Sequence, residues 1–304
     1  MRKTVTRMMK ESSRLLLLLL GLVVTVPLAA TPSNEALATG ADPWQIPADK
    51  KKFHIFLLMG QSNMAGGIPG KELTAEDKTP VPGIVIRRGK GWIPAAHPIH
   101  LGGKKNGFGL GLPFAKEYRK RHPGVTVGLV PCASGGKRID LLKKGSNLYR
   151  AALGKSQLAL EMGTIEAVLW HQGEADTVTD ERADNYEVKL HQLIADVRAD
   201  LGINDLPFIV GDLGQLYGIG ENPNPDPEKV ARVGKVRGVL KSIPDKIKNT
   251  GFVETTGLTY SDAPTCTHFD RKSYITLGRR YAEAYVRIAG RANGRQPNQM
   301  KKIK

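Results

Sequence analysis

The chain is 304 residues long and carries 45 Lys and Arg against 29 Asp and Glu, a formal net charge of +16. Two cysteines are too few for a disulfide framework, and no nucleic-acid-binding motif accompanies the positive charge. Much of that charge is solvated surface lysine, and its sign favours encounter with anionic material such as an acidic polysaccharide.

Residues 1–38 have the pattern of a signal peptide. Arg2, Lys3, Arg7, Lys10 and Arg14 precede an unbroken apolar run, Leu15 to Leu20, which continues through Gly21 to Ala30. Ala36-Leu37-Ala38 then supplies an A-x-A cleavage site, with a site after Ala30 as the alternative. A run of about 16 residues is short of the roughly 20 that a membrane helix needs. The expected product is secreted or periplasmic, with no stable membrane span after processing, and its length suits one large α/β domain.

Residues 39–50 are turn-rich and read as a lead-in to a folded domain over 51–290. The first strand is expected at Lys52–Met59. Residues 67–106 carry five prolines and many glycines, and only Gly83–Arg88 within them looks like a strand. A loop of that length in a compact domain is usually a functional wall or lid. A helix over Leu112–His122 stops at Pro123-Gly124, and Val125–Val130 is a continuous apolar strand. Leu148–Met162 is helical, Ile165–Trp170 a buried strand, and Ala183–Leu201 one long amphipathic helix. Leu206–Val210 and Gly251–Thr255 complete the strands, with helices at Lys229–Ser242 and Tyr274–Ala289. Residues 291–304 read as a basic, disordered tail. Short, continuous apolar strands alternating with helices describe an α/β fold, a three-layer α/β/α sandwich around a parallel sheet of about five strands.

The polar, glycine-bearing segments fall at strand C-terminal ends: Gly60-Gln-Ser-Asn63, Ala133-Ser-Gly-Gly136 and His171-Gln-Gly-Glu174. In a parallel sheet those ends share one edge, so the segments should converge on one crevice. Ser62, at the sharpest of these turns, is the candidate nucleophile, and its backbone N–H can face a developing oxyanion. Ser134 competes for that role. His268, in a loop before the last helix, can reach over the crevice as general base. Other histidines have ordinary readings: His171 supports the crevice wall, His54 is satisfied within its strand, and His97 and His100 lack metal-ligand spacing. Trp92, Tyr217 and the glycine-rich Asn106–Gly111 stretch could line a sugar-binding wall, with ordinary loop packing as the alternative reading. Cys132 and Cys266 allow one bridge, although a buried free thiol at a strand end is the simpler reading for Cys132.

Four blocks, Gly60-Gln-Ser-Asn-Met64, Pro131-Cys-Ala-Ser-Gly-Gly136, Trp170-His-Gln-Gly-Glu174 and His268-Phe269-Asp270, resemble those of the sialate O-acetylesterase-like (SASA) group. That group belongs to the SGNH/GDSL hydrolase superfamily, as do the acetyl xylan esterases of carbohydrate esterase family six. The resemblance implies a flavodoxin-like fold, with Ser62 as nucleophile and His268 as base. It also implies an oxyanion hole from the Ser62 N–H, a glycine N–H at Gly135 or Gly136, and the Gln172 side chain. Gln61, Asn63 and Gly136 would then contact substrate.

The sequence departs from the superfamily's D-x-x-H pattern, because Thr265 stands where the aspartate belongs. Glu174 is the favoured acid to orient His268, Asp262 is the alternative, and a serine–histidine dyad is a third arrangement. A structural reading of Glu174 is a buried carboxylate tied to Arg138. The activity implied is removal of O-acetyl groups from an acetylated oligo- or polysaccharide, with an anionic one in view, and without metal or organic cofactor. The rivals are a catalytically silent carbohydrate-binding module on the same fold and a general short-chain esterase.

Overall fold

The computed structural model of the protein describes residues 44–102 and 107–292. The expected leader, 1–38, and most of the expected tail lie outside them. At the centre runs β1, Phe53–Gly60, and its continuous apolar run has a physical cause. Phe53, Ile55, Leu57 and Met59 enter one core cluster, while Phe56 and Leu58 enter the other. A strand covered on both faces cannot alternate apolar with polar residues.

Six further strands surround it: β2 Ile84–Arg88, β3 Gly91–Pro94, β4 Thr126–Pro131, β5 Thr164–His171, β6 Phe208–Gly211 and β7 Thr250–Val253. Their order is β3-β2-β4-β1-β5-β6-β7, and every neighbouring pair is parallel except β2 with β3. The block β4-β1-β5-β6-β7 has the flavodoxin-like order expected from the sequence. The count of about five strands is low by two. β2 joins the sheet beside β4 rather than standing alone in a loop, and β3 went unnoticed. β3 has four residues, three of them exposed at the sheet edge, so no buried apolar run marks it.

The helices are α1 Ser62–Ala65, α2 Gly111–Arg121, α3 Asn147–Leu160, α4 Asp180–Asp184, α5 Tyr186–Leu201, α6 Pro227–Lys246 and α7 Arg271–Ala292. α2 and α7 cover one face of the sheet through Phe114, Tyr118, Leu277 and Tyr281. On the other face lie α3, α5 and α6, through Tyr149, Leu190, Leu193, Val236 and Leu240. The expected single helix over Ala183–Leu201 is two, because Asn185 (φ −89°, ψ 0°) interrupts the backbone between α4 and α5. Local signals explain the other boundaries. Ser146 Oγ accepts from Tyr149 N at 3.1 Å to cap α3, Asp226 with Pro227 opens α6, and Gly202 closes α5 in the left-handed region. Among the described residues, no helix is long and apolar enough to cross a membrane.

Registers place the chemistry. β1 pairs with β4 up to Leu58↔Pro131 and with β5 up to Gly60↔His171, so three strand ends finish side by side. From β1 the chain first builds leftward and then rightward, which makes these ends the switch point where α/β crevices form.

Candidate active site

The turn carrying Ser62 is built from β1 itself. Gln61 N donates to His171 O at 2.9 Å, extending the β1–β5 ladder by one bond before the chain turns into α1. Gly60 permits this with φ +127°, and a Cβ there would collide with the His171 carbonyl. Met64 N and Ala65 N donate to Gln61 O, which leaves Ser62 N and Asn63 N of the first turn without a partner among the described residues.

Across the crevice, residues 259–270 fold back on themselves. Ser261 N donates to His268 O (2.9 Å) and Asp270 N to Thr259 O (3.1 Å). Inside this loop Asp262 acts as the organiser. Its Oδ1 accepts from Thr267 N (2.9 Å) and His268 N (2.8 Å), and its Oδ2 lies 2.6 Å from His268 Nδ1. His268 Nε2 in turn lies 3.0 Å from Ser62 Oγ. An Nδ1–H given to the carboxylate leaves the Nε2 lone pair facing the serine hydroxyl.

The carboxylate beside His268 is therefore Asp262, and the preference for Glu174 is corrected. The six-residue spacing is absorbed because Thr265 N and Cys266 N both bond to Asp262 O, with Cys266 at φ +49°, so the intervening residues form a closed turn. Glu174 also borders the crevice but is buried, and its Oε1 accepts from Asn63 Nδ2 at 2.6 Å. Burial pushes its carboxyl up to about 7. Nor does it pair with Arg138, whose partner is Asp140 at 3.6 Å.

Asn63 is likewise a structural tie rather than a contact for substrate. It is fully buried, donates also to Thr267 O (2.9 Å) and accepts from Tyr274 OH (2.7 Å). It thereby holds the turn after Ser62 against the turn before His268.

The amide expected to face an oxyanion, Gln172, is fully buried and spent on protein partners. Its Nε2 donates to Asp176 Oδ2, to Lys137 O at 3.2 Å and to Gln61 Oε1 at 3.3 Å, while its Oε1 accepts from Tyr186 OH at 3.0 Å. The glutamine that lines the crevice is Gln61. Its Oε1 is pinned by Gln172 Nε2 and by Ala175 N (3.2 Å), and its Nε2 has no partner among the described residues. The sequence offered one cue, the adjacency of Gln61 to Ser62, but nothing local distinguishes the two amides.

Gly135 is exposed, and a Cβ placed on it would sit 3.8 Å from Ser62 Cβ, so its backbone borders the turn that carries Ser62. Gly136, one residue further at φ +67°, also lines the crevice. Ser134 is there too, held by its N–H to Gly60 O (3.0 Å), but its hydroxyl meets no histidine among the described residues. His171 is fully buried, with its Nδ1 3.1 Å from Tyr281 OH. Of the two aromatics, Tyr217 lines the crevice, whereas Trp92 packs edge-on against Phe53 at 4.9 Å. Cys132 and Cys266 are both free, and burial pushes the Cys132 thiol up to about 12.

The crevice has a volume of about 620 Å³ and is lined by Ser62, Gly135, His268, Leu101, Lys137 and Val178, among others. That is ample for a sugar residue bearing a small acyl group.

Residues 52–287 match the family described as carbohydrate esterase, sialic acid-specific acetylesterase. A probable carbohydrate esterase of Arabidopsis thaliana, At4g34215, is 29% identical over 269 residues, covering 83% of this chain and 97% of the relative. The X-ray structure of that Arabidopsis protein superposes with a TM-score of 0.66 at 30% identity, over 77% of this chain and 98% of that one. NanS has the same fold at 16% identity, with a TM-score of 0.63 over 80% of this chain and 99% of its own. So does a carbohydrate acetylesterase of Xanthomonas citri, XAC1771, at 22% identity and a TM-score of 0.57, over 77% of this chain and 56% of that one. The chain belongs to the sialic acid-specific acetylesterase family of carbohydrate esterases.

Proposed function

We propose that the protein is an exported serine esterase that removes O-acetyl groups from carbohydrate through an acetyl-enzyme intermediate. The observation that carries this reading is the continuous line from Asp262 through His268 to Ser62, at 2.6 and 3.0 Å. Ser62 Oγ attacks the acetyl carbonyl carbon while His268 Nε2 takes the hydroxyl proton. The carbonyl oxygen becomes an alkoxide, which Ser62 N–H, Gly135 N–H and Gln61 Nε2 stabilise. Collapse breaks the bond to the sugar oxygen, and His268 returns the proton to that oxygen. Water, deprotonated by His268, then attacks the acetyl carbonyl carbon; the bond to Ser62 Oγ breaks, His268 returns the proton to that oxygen, and acetate leaves.

Export rests on the basic and apolar order of residues 1–38. The substrate is an O-acetylated carbohydrate. An anionic sugar is favoured because Lys137 on the crevice wall has no ion pair among the described residues. The rival reading, a silent binding module, drew its force from the missing D-x-x-H aspartate. Asp262 on His268 Nδ1 removes that motive.

The test is acetate release from a panel of acetylated neutral and acidic oligosaccharides by the wild type and Ser62→Ala. Turnover by the wild type alone supports the reading. Equal turnover by both moves the nucleophile elsewhere, and binding without turnover restores the silent module.

A further inference from the structure

The segment after β4 is clamped along one edge by β1: Cys132 N donates to Leu58 O at 2.9 Å and Ser134 N to Gly60 O at 3.0 Å. In an extended segment the intervening amide points the opposite way. On that side the neighbouring strand has already stopped, since β2 pairs with β4 only from Ile84↔Val127 to Ile86↔Leu129. The Ala133 N–H would be left without a partner, at the point where the chain approaches Gly135 and Ser62. Instead it donates to His100 Nε2 at 3.2 Å.

His100 is well placed for this substitute strand contact. It is 3% exposed, follows the core residue Ile99, and its loop is moored to the end of β2 by Arg88 Nη2 donating to Pro98 O at 2.8 Å. Leu101, the next residue, lines the crevice. Given the esterase reading above, we propose that His100 is a positioning residue for the oxyanion loop: it fixes Ala133 from the far edge so that the Gly135 N–H meets the forming alkoxide. Only an unprotonated Nε2 can accept from an amide. Burial keeps the ring neutral, pushing the imidazole down to about 3, and the Ala133 N–H at 3.2 Å then selects the tautomer with its proton on Nδ1.

The chemistry separates two substitutions. His100→Gln keeps an acceptor at the same number of bonds from Cα, whereas His100→Leu keeps apolar bulk and removes the acceptor. With p-nitrophenyl acetate, His100→Leu should lose roughly 10- to 100-fold in kcat with KM within about threefold, somewhat less than deletion of an oxyanion donor costs. Its affinity for a boronic acid, which mimics the tetrahedral state, should weaken by the same factor while acetate binding does not change. His100→Gln should recover most of both.

A folded His100→Leu with unchanged kcat and boronate affinity overturns the proposal. So does a loss carried by KM and acetate binding alone, which would mark a general distortion of the crevice. If His100→Leu fails to fold, His100→Gln decides: activity within about tenfold of wild type supports the acceptor role, and a larger loss in a folded protein refutes it. A wild type that neither hydrolyses the ester nor reacts with a fluorophosphonate overturns the esterase reading itself, and this proposal with it.

Discussion

Asp262 holds His268 at both ends, with Oδ1 accepting the histidine's backbone N–H at 2.8 Å and Oδ2 at 2.6 Å from its ring Nδ1. A single carboxylate thus sets both the position of the residue and the orientation of its imidazole. Losing such a carboxylate in a known serine protease lowers kcat about 10⁴-fold, because the wrong tautomer results. Asp262→Asn should lose activity on that scale, measured as kcat on an acetyl ester. Glu174→Gln, which keeps an oxygen for Asn63, should lose less than about tenfold. The reverse order would sink the assignment, and two mild effects would indicate a dyad.

Glu174 bears instead on stability. Its carboxyl is raised from 4.5 to about 7, chiefly by burial, so the folded state holds the proton more tightly than the unfolded chain does. The stabilising contribution is complete below about pH 4.5 and is lost as pH rises through about 7, with an upper bound on the order of 3 kcal/mol. Thermal unfolding of wild type and Glu174→Gln should therefore diverge between pH 4.5 and 7.5, with the variant gaining relative stability as pH rises. Parallel curves would place the ionisation elsewhere.

The two glutamines should fail in different ways. Gln61→Met removes the amide that faces the crevice and should lower kcat about 10²- to 10³-fold, the usual cost of one oxyanion donor. Gln172→Met removes the amide's bonds to Asp176 Oδ2 and Tyr186 OH, which keep Ile139 N and the residue 172 carbonyl as partners, and should lower the unfolding temperature by a loss on the order of 1–3 kcal/mol. If Gln172→Met instead leaves stability untouched, the buried network has been misjudged.

Lys137 should select for charge. Replacing it with Met should reduce kcat/KM on an acetylated acidic oligosaccharide about three- to fivefold, the range of an exposed ion pair, and leave a neutral acetyl ester unchanged. Salt should blunt the wild type's preference, since the screening length falls from about 10 Å at 0.1 M to about 3 Å at 1 M. Equal losses on both substrates would assign Lys137 to the shape of the wall rather than to recognition of an anion.

Much of the frame was legible because its causes are local. The run Phe53–Met59 is apolar at nearly every position, which only a strand covered on both faces requires. Ser62, Gly135 and the block ending at Glu174 follow their strands directly, so parallel topology alone brings them to one edge. β3 and the break at Asn185 escaped notice for the complementary reason. Neither buries a run long enough to leave a period.

The sequence by itself determined the α/β class, the edge of the sheet that carries the crevice, and Ser62 with His268 as the pair to watch. Only the tertiary structure decided which carboxylate meets His268, which glutamine faces the crevice, and what satisfies Ala133. Periodicity and caps are properties of neighbouring residues, whereas Ser62 and His268 are 206 positions apart. Asn63 and Glu174 are separated by 111 and face each other because two strand ends abut. Which atoms pair at such a meeting depends on what packs behind each side chain, and that is set by the whole fold.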